Sequence, residues 1–202
     1  KIISLTGISN NDKIVIYDNS DVISSCRCWY NFIYFGHNPK LIHVLDGGLK
    51  KWNLEKKPTN NILNKKIISS YYASEKKELV KNKYQIDENI IAKKFKVIDA
   101  RSKKRFEGQT PEPRNNLRSG SIENSYCLPF SDIINTDGTF CSKDKILEKF
   151  KSTRCELDVN LVFSCGSGVT ASVLALAYSL IDNKYMPKIY DGSWSEYGKI
   201  KL

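Results

Sequence analysis

Asn160-Leu161-Val162-Phe163-Ser164-Cys165-Gly166-Ser167-Gly168-Val169-Thr170-Ala171, running on into Ser172-Val173-Leu174-Ala175-Leu176-Ala177-Tyr178, is the stretch whose reading decides the fold. Leu161 to Ser164 is a short β-branched and aromatic run of the kind that fills a buried parallel strand. Val169 to Leu180 has the length and Ala/Leu content of a helix. Cys165 therefore falls at a strand-to-helix turn. Gly166 and Gly168 let the backbone fold tightly around the sulfur, so that successive N–H groups point inward as an anion-cradling nest. Those amides and the positive end of the following helix favour a thiolate, the nucleophilic form of cysteine. A buried structural cysteine is the commoner fate of this residue type. Gly-Ser-Gly contributes little to packing, which favours a reactive thiol.

Working outward, the same pattern occurs near the start of the chain. Ile14 to Asp18 answers Leu161 to Cys165, the aromatic helix-length stretch Arg27 to Phe35 answers Val169 to Leu180, and Ile42 to Trp52 answers Lys188 to Tyr197. Asp18 and Asp46 are 28 residues apart, Cys165 and Asp191 26. This is an internal repeat, and Asp18 occupies the place of Cys165. The first copy thus lacks the nucleophile and the glycine nest. The copies are unequal in length: 64 residues separate Val97 from Leu161, whereas 13 precede Ile14. The opening half of the first copy is expected to be absent, leaving apolar sheet faces bare.

Composition agrees with a globular α/β chain. The 202 residues are 41% hydrophobic, enough for a core, with no run of about 20 apolar residues. Residues 1 to 20 have no secretory signal pattern. The net charge of +10 comes from dispersed lysines such as Lys50-Lys51 and Lys103-Lys104, with only six arginines among the 32 basic residues. No groove-reading motif accompanies them, so nucleic-acid and membrane partners are not expected, while anionic substrates gain from the field. Six cysteines without C-x-x-C or zinc spacing point to a reducing compartment and no metal or cofactor. His37 and His43 lie far upstream, which gives a Cys–His protease thin support.

Between the copies, Asn53 to Lys96 is charged and Asn/Lys-rich; only Ile67-Ile68 and Tyr71-Tyr72 suggest docking, and one strand followed by a helix around Asp87 to Lys94 is expected. The second copy opens on a strand at Phe95 to Ala100. A second strand follows at Ser125 to Leu128, and then an amphipathic helix, Ser142 to Ser152, with Ile146, Leu147 and Phe150 inward. The division expected is 1–56 for the carboxy-terminal half of an inactive copy, 57–94 for a linker and 95–202 for the catalytic copy. Strand–helix alternation with apolar strands gives a mostly parallel sheet flanked by helices, and ligands bind beyond the carboxyl ends of such strands. Arg105 and Arg114 flank a proline-stiffened loop beyond the first of those strands. Two guanidinium forks hold a carboxylate and a neighbouring carbonyl better than lysines do, although most arginines simply face solvent.

Cys165-Gly166-Ser167-Gly168-Val169-Thr170-Ala171 resembles the active-site loop of the rhodanese superfamily, in the form found in 3-mercaptopyruvate sulfurtransferases. The spacing R-F-x-G-x-x-P-E-P-R from Arg105 to Arg114 is similar to that family too. An inactive amino-terminal copy before an active carboxy-terminal one resembles tandem rhodanese proteins. The resemblance implies a rhodanese-like α/β fold in two tandem copies with the first incomplete. It implies Cys165 and Ser167 as catalytic residues, and Arg105, Arg114, Gly166, Gly168, Val169 and Thr170 as substrate-binding residues. Thr170 equally suits a helix cap.

The implied activity moves sulfur from a small anionic donor, 3-mercaptopyruvate or thiosulfate, through a Cys165 persulfide to a thiol acceptor such as thioredoxin, or to cyanide. Gly166 and Ser167 tilt the donor towards 3-mercaptopyruvate. The chain departs from the family in two places. The family draws an aspartate and a histidine from the half missing here, and Gly120-Ser121-Ile122-Glu123-Asn124 stands where the family usually reads G-H-I-P-G, which is expected to alter a structural turn. A cysteine phosphatase needs an arginine where Ala171 stands. The remaining alternative is a non-catalytic tandem module that binds a protein partner through the same cleft. A cytoplasmic location is expected, with a mitochondrial one open because a targeting segment would lie upstream of Lys1.

Overall fold

The computed structural model describes residues 2–62, 68–157 and 160–200. Among the described residues seven short strands form two parallel sheets. In the first copy, β1 (Ile14–Ile16) pairs with β2 (Ile42–Val44), with α1 (Ser25–Tyr34) as the crossover and α2 (Gly48–Leu54) following. The second sheet has five strands: β3 (Val80–Lys81), β4 (Lys96–Asp99), β5 (Tyr126–Cys127), β6 (Leu161–Ser164) and β7 (Ile189–Tyr190). Their order across the sheet is β3-β7-β6-β4-β5, all parallel. The helices are α3 (Lys83–Ala92), α4 (Lys103–Phe106), α5 (Lys143–Ser152), α6 (Val169–Ile181) and α7 (Ser193–Tyr197).

β6 takes the centre because all four of its residues are buried, and a parallel sheet covered on both faces demands such a run. Asn82 caps α3 with a reciprocal capping box to Gln85, and Ser142 caps α5 through Lys145 N. On α5, Ile146 and Phe150 are buried while Leu147 is only half-buried, so the inward stripe is narrower than the sequence suggests. The strand Val80–Lys81 falls inside the stretch between the copies and pairs with Ile189–Tyr190 at the edge of the second sheet. Of the two expected docking pairs, Ile67 lies outside the described residues, Ile68 and Tyr72 are exposed, and Tyr71 is buried against the first copy.

The repeat is present in the hydrogen-bond register. Ile16, two residues before Asp18, pairs with Val44, two before Asp46; Phe163, two before Cys165, pairs with Ile189, two before Asp191. Leu49 N donates to Asp18 O at 2.9 Å and Trp194 N to Cys165 O at 2.9 Å. Among the described residues β1 has a strand on one edge, β2, whereas β6 has one on each. The bare face of the first copy carries Val15 and Tyr17, 58% and 59% exposed, where the matching Val162 and Ser164 are buried. One apolar cluster nevertheless runs through both copies, because α1 packs on α6 and brings Trp29, Tyr30 and Ile33 against the second core. The Tyr30 hydroxyl donates to Leu79 O at 2.7 Å, closing that seam.

Asn124 takes the left-handed backbone (φ 59°) that asparagine tolerates better than most residues, and Ile122 is buried. Among the described residues no helix is long and apolar enough to cross a membrane.

Candidate active site

Cys165 is the first residue beyond β6, at the carboxyl end of the central strand. Its Sγ accepts hydrogen bonds from Ser167 N at 3.4 Å and Gly168 N at 3.1 Å. That turn requires Gly168 at φ 80°, which directs its amide back towards the sulfur and lets α6 start at the next residue. The N-cap position is Gly168, with no side-chain cap, so Thr170 lies in the first turn of α6 and is not its cap. The N–H groups of Val169 and Thr170 belong to that first turn, where helical amides lack intrahelical partners. Ser167 meets the sulfur through its amide.

The sulfur lies deep: Cys165 is 1% exposed, Gly166 and Ser167 are half-buried and Arg114 is exposed. A cavity of about 330 Å³ lies between the copies, lined by Asp18 and Asp46 on one side and Phe130, Ile134 and Phe140 on the other. Burial pushes other thiols up, that of Cys127 to about 12 and that of Cys155 to about 11. Both therefore stay protonated at neutral pH and serve packing. The six thiols are all free.

Arg105 and Arg114 converge on Gly166. Arg114 Nη1 donates to Gly166 O at 3.4 Å, and a Cβ placed on Gly166 would stand 3.2 Å from Arg105 Nη2. Arg105 is held by Glu112, whose Oε2 accepts from Nη2 at 2.5 Å. The same carboxylate accepts from Arg101 Nη1 at 2.8 Å, and Arg101 is paired in turn with Asp99. Burial would raise the Glu112 carboxyl, but the hydrogen bonds and charges of Arg105 and Arg101 outweigh it and hold it below the ordinary carboxylate value.

Four residues of this site are not singled out by sequence reasoning. Glu112 is one, quoted within the arginine motif but given no role. Ser193 is another: its Oγ accepts from Cys165 N at 3.2 Å, donates to Tyr190 O at 2.8 Å, and lies 4.0 Å from the sulfur. Its φ of 49° is unusual for a residue with a side chain. The others are Arg27 and Asp191, whose side chains meet beside Gly168. Arg27 is the only arginine of the first copy, the one signal available in the sequence. His37 is structural: its ring nitrogens lie against Tyr71 Oη and Asp12 O.

Chemically, the arrangement is one sulfur with two main-chain donors, beneath a rim carrying two guanidinium groups. That suits an anionic sulfur at the floor and an anionic small molecule at the mouth.

The sequence profile of the Rhodanese-like domain matches residues 1–55 and 82–199. The chain is 35% identical over 193 residues to the 3-mercaptopyruvate sulfurtransferase of Mus musculus, covering 95% of this chain and 64% of that protein. It is 36% identical over 215 residues to thiosulfate/3-mercaptopyruvate sulfurtransferase 2 of Arabidopsis thaliana, covering 96% and 62%. The crystal structure of SseA from Escherichia coli, described with the rhodanese fold and catalytic mechanism of 3-mercaptopyruvate sulfotransferases, superimposes with a TM-score of 0.81 at 26% identity. That match covers 96% of this chain and 72% of SseA. The chain spans 62–64% of the length of the two curated relatives.

Proposed function

The chain belongs to the rhodanese-like family, and on that premise we propose that it is a sulfurtransferase using Cys165 as a sulfur carrier, with 3-mercaptopyruvate as donor. The observation that carries this is the pair of amides from Ser167 and Gly168 aimed at Cys165 Sγ. They stabilise the thiolate before attack and the persulfide after it.

In this reading Arg105 and Arg114 hold the donor's carboxylate and carbonyl over Gly166, and the backbone from Gly166 to Thr170 shapes the floor. Cys165 thiolate attacks the donor's thiol sulfur. A sulfur–sulfur bond forms, the carbon–sulfur bond breaks, and its electron pair leaves with carbon as pyruvate enolate, which takes up a proton to give pyruvate. The outer sulfur is then transferred to a thiolate acceptor such as that of thioredoxin, or to cyanide, regenerating the Cys165 thiolate. Ser167 is assigned to the donor or to proton relay through its hydroxyl.

Residues 1–56 are then the carboxy-terminal half of an inactive copy, 57–94 join the copies and 95–202 form the catalytic copy, with β3 and α3 of the joining stretch completing its sheet edge. Free thiols suit a reducing compartment, for which we propose the cytoplasm, with the mitochondrial matrix as the alternative.

Pyruvate release from 3-mercaptopyruvate tests the reading, with mass spectrometry of the Cys165 peptide for the gain of one sulfur atom and Cys165→Ser as control. Release together with that gain is the expected result. Release without any gain on Cys165, or no gain on an intact thiol, overturns it. Faster turnover of thiosulfate than of 3-mercaptopyruvate reverses the donor assignment alone.

A further inference from the structure

We propose that Arg27, supplied by the inactive copy, is a positioning residue for the sulfur-carrying loop of the other copy; this rests on the reading of Cys165 as the nucleophile. Arg27 lies on α1, the helix that packs against α6. Its Nη1 donates to Gly168 O at 3.3 Å and to Asp191 Oδ1, while its Nε is fixed by Asn31 Oδ1 at 3.0 Å. Gly168 is the residue whose amide makes the shorter contact to Cys165 Sγ.

The approach is close enough to require glycine. A Cβ on Gly168 would stand 2.7 Å from Arg27 Nη1 and 2.9 Å from Asp191 Oδ1. Gly168 is therefore gripped at its carbonyl by Arg27 and Ser172 Oγ, and presents its N–H to the sulfur from a fixed backbone. A donor held in place costs no reorganisation when charge develops on the acceptor. Arg27 does not touch the sulfur in the structure; it acts through Gly168, with Asp191 holding the guanidinium on its other side.

The test is the pH profile of Cys165 alkylation by iodoacetamide, followed on the Cys165 peptide by mass spectrometry, for wild type, Arg27→Lys and Arg27→Met. Other charged groups near the loop are Asp191 beyond β7, Asp99 and Arg101 at the end of β4, and Arg105 and Arg114 over Gly166; the variants leave them in place. The midpoint of the profile reports the thiolate, and its high-pH plateau reports access. Arg27→Met is expected to raise the midpoint by about one pH unit, the effect of weakening one hydrogen bond to a charged group. Arg27→Lys keeps the charge but loses the Nε anchor to Asn31, so it isolates geometry; a smaller rise is expected.

An Arg27→Lys midpoint equal to wild type overturns the proposal, whether or not Arg27→Met folds, because charge alone then suffices. A lowered melting temperature with an unmoved midpoint overturns it too, by leaving Arg27 a purely structural role. Alkylation needs no sulfur donor. If wild type never takes up sulfur the proposed function fails, while the profiles still decide on Arg27.

Discussion

The Asp18 loop and the Cys165 loop occupy the same place in two copies of one motif, and they hold different acceptors in different ways. In the first copy Asp18 Oδ2 accepts from the hydroxyls of Ser20 and Ser24, at 2.5 and 2.8 Å, and from Ser25 N at 3.2 Å. In the second, Cys165 Sγ accepts from two main-chain amides. The position that is Gly48 (φ 55°) in the first copy is Ser193 (φ 49°) in the second, a strained serine whose hydroxyl binds the Cys165 amide. The motif therefore provides a niche for an acceptor beyond its central strand, and the side chain placed there decides whether the niche caps a helix or holds a thiol, the sulfur carrier in the proposed function.

The comparison breaks most sharply if the thiol is moved. Asp18→Cys combined with Cys165→Ser places a thiol in the niche without backbone nest or arginine rim. The expected result is complete loss of sulfur loading by mass spectrometry, with no gain at position 18. Loading at that position would show that the niche alone suffices.

Next in size is Glu112→Gln, a change confined to the second copy. Breaking a buried ion pair costs about 3 kcal/mol or more, and the loss here is expected near 3 kcal/mol because Arg101 keeps Asp99. Chemical denaturation measures it. With Arg105 released, the Michaelis constant for the donor is expected to rise while Cys165 still accepts sulfur. Gly168→Ala ranks third: left-handed backbone plus the clash with Arg27 and Asp191 is expected to cost about 2 kcal/mol and to slow sulfur loading.

What the sequence reveals and what it conceals divide along the range of the interactions. β6, the cysteine turn and α6 are legible because a continuous apolar run, two glycines and an Ala/Leu stretch each act within a few residues. The repeat is legible because Asp46-Gly47-Gly48 and Asp191-Gly192-Ser193 mark equal turns. β3 is legible as a strand somewhere before α3, but its position is concealed: Val80-Lys81 has no strand pattern, and pairing with Ile189-Tyr190 makes it one. Arg27 is concealed for the same reason, reaching Gly168 across 141 residues and Asp191 across 164. Arg105 and Arg114 carry a local motif, yet the buried carboxylate of Glu112 that ties Arg105 to Arg101 is visible only in three dimensions.

The smallest expected effect asks whether the two loops are independent. Asp18 accepts from Ser25 N, the first residue of α1, and so caps the helix that carries Arg27. Burial alone would raise the Asp18 carboxyl, but the bonds from Ser20, Ser24 and Ser25 hold it below its ordinary value of 3.8. A depressed folded value means that the stabilisation is present above 3.8 and is lost as pH falls through the lower folded value. Asp18→Ala is therefore expected to cost about 1 kcal/mol at neutral pH, as removal of a cap does. Melting temperatures of variant and wild type should converge in acid. A loosened start of α1 also loosens the grip of Arg27 on Gly168, so the Cys165 alkylation midpoint should rise slightly, by less than in Arg27→Lys. If stability falls as expected while that midpoint stays fixed, the first copy holds its own niche without passing anything to the second.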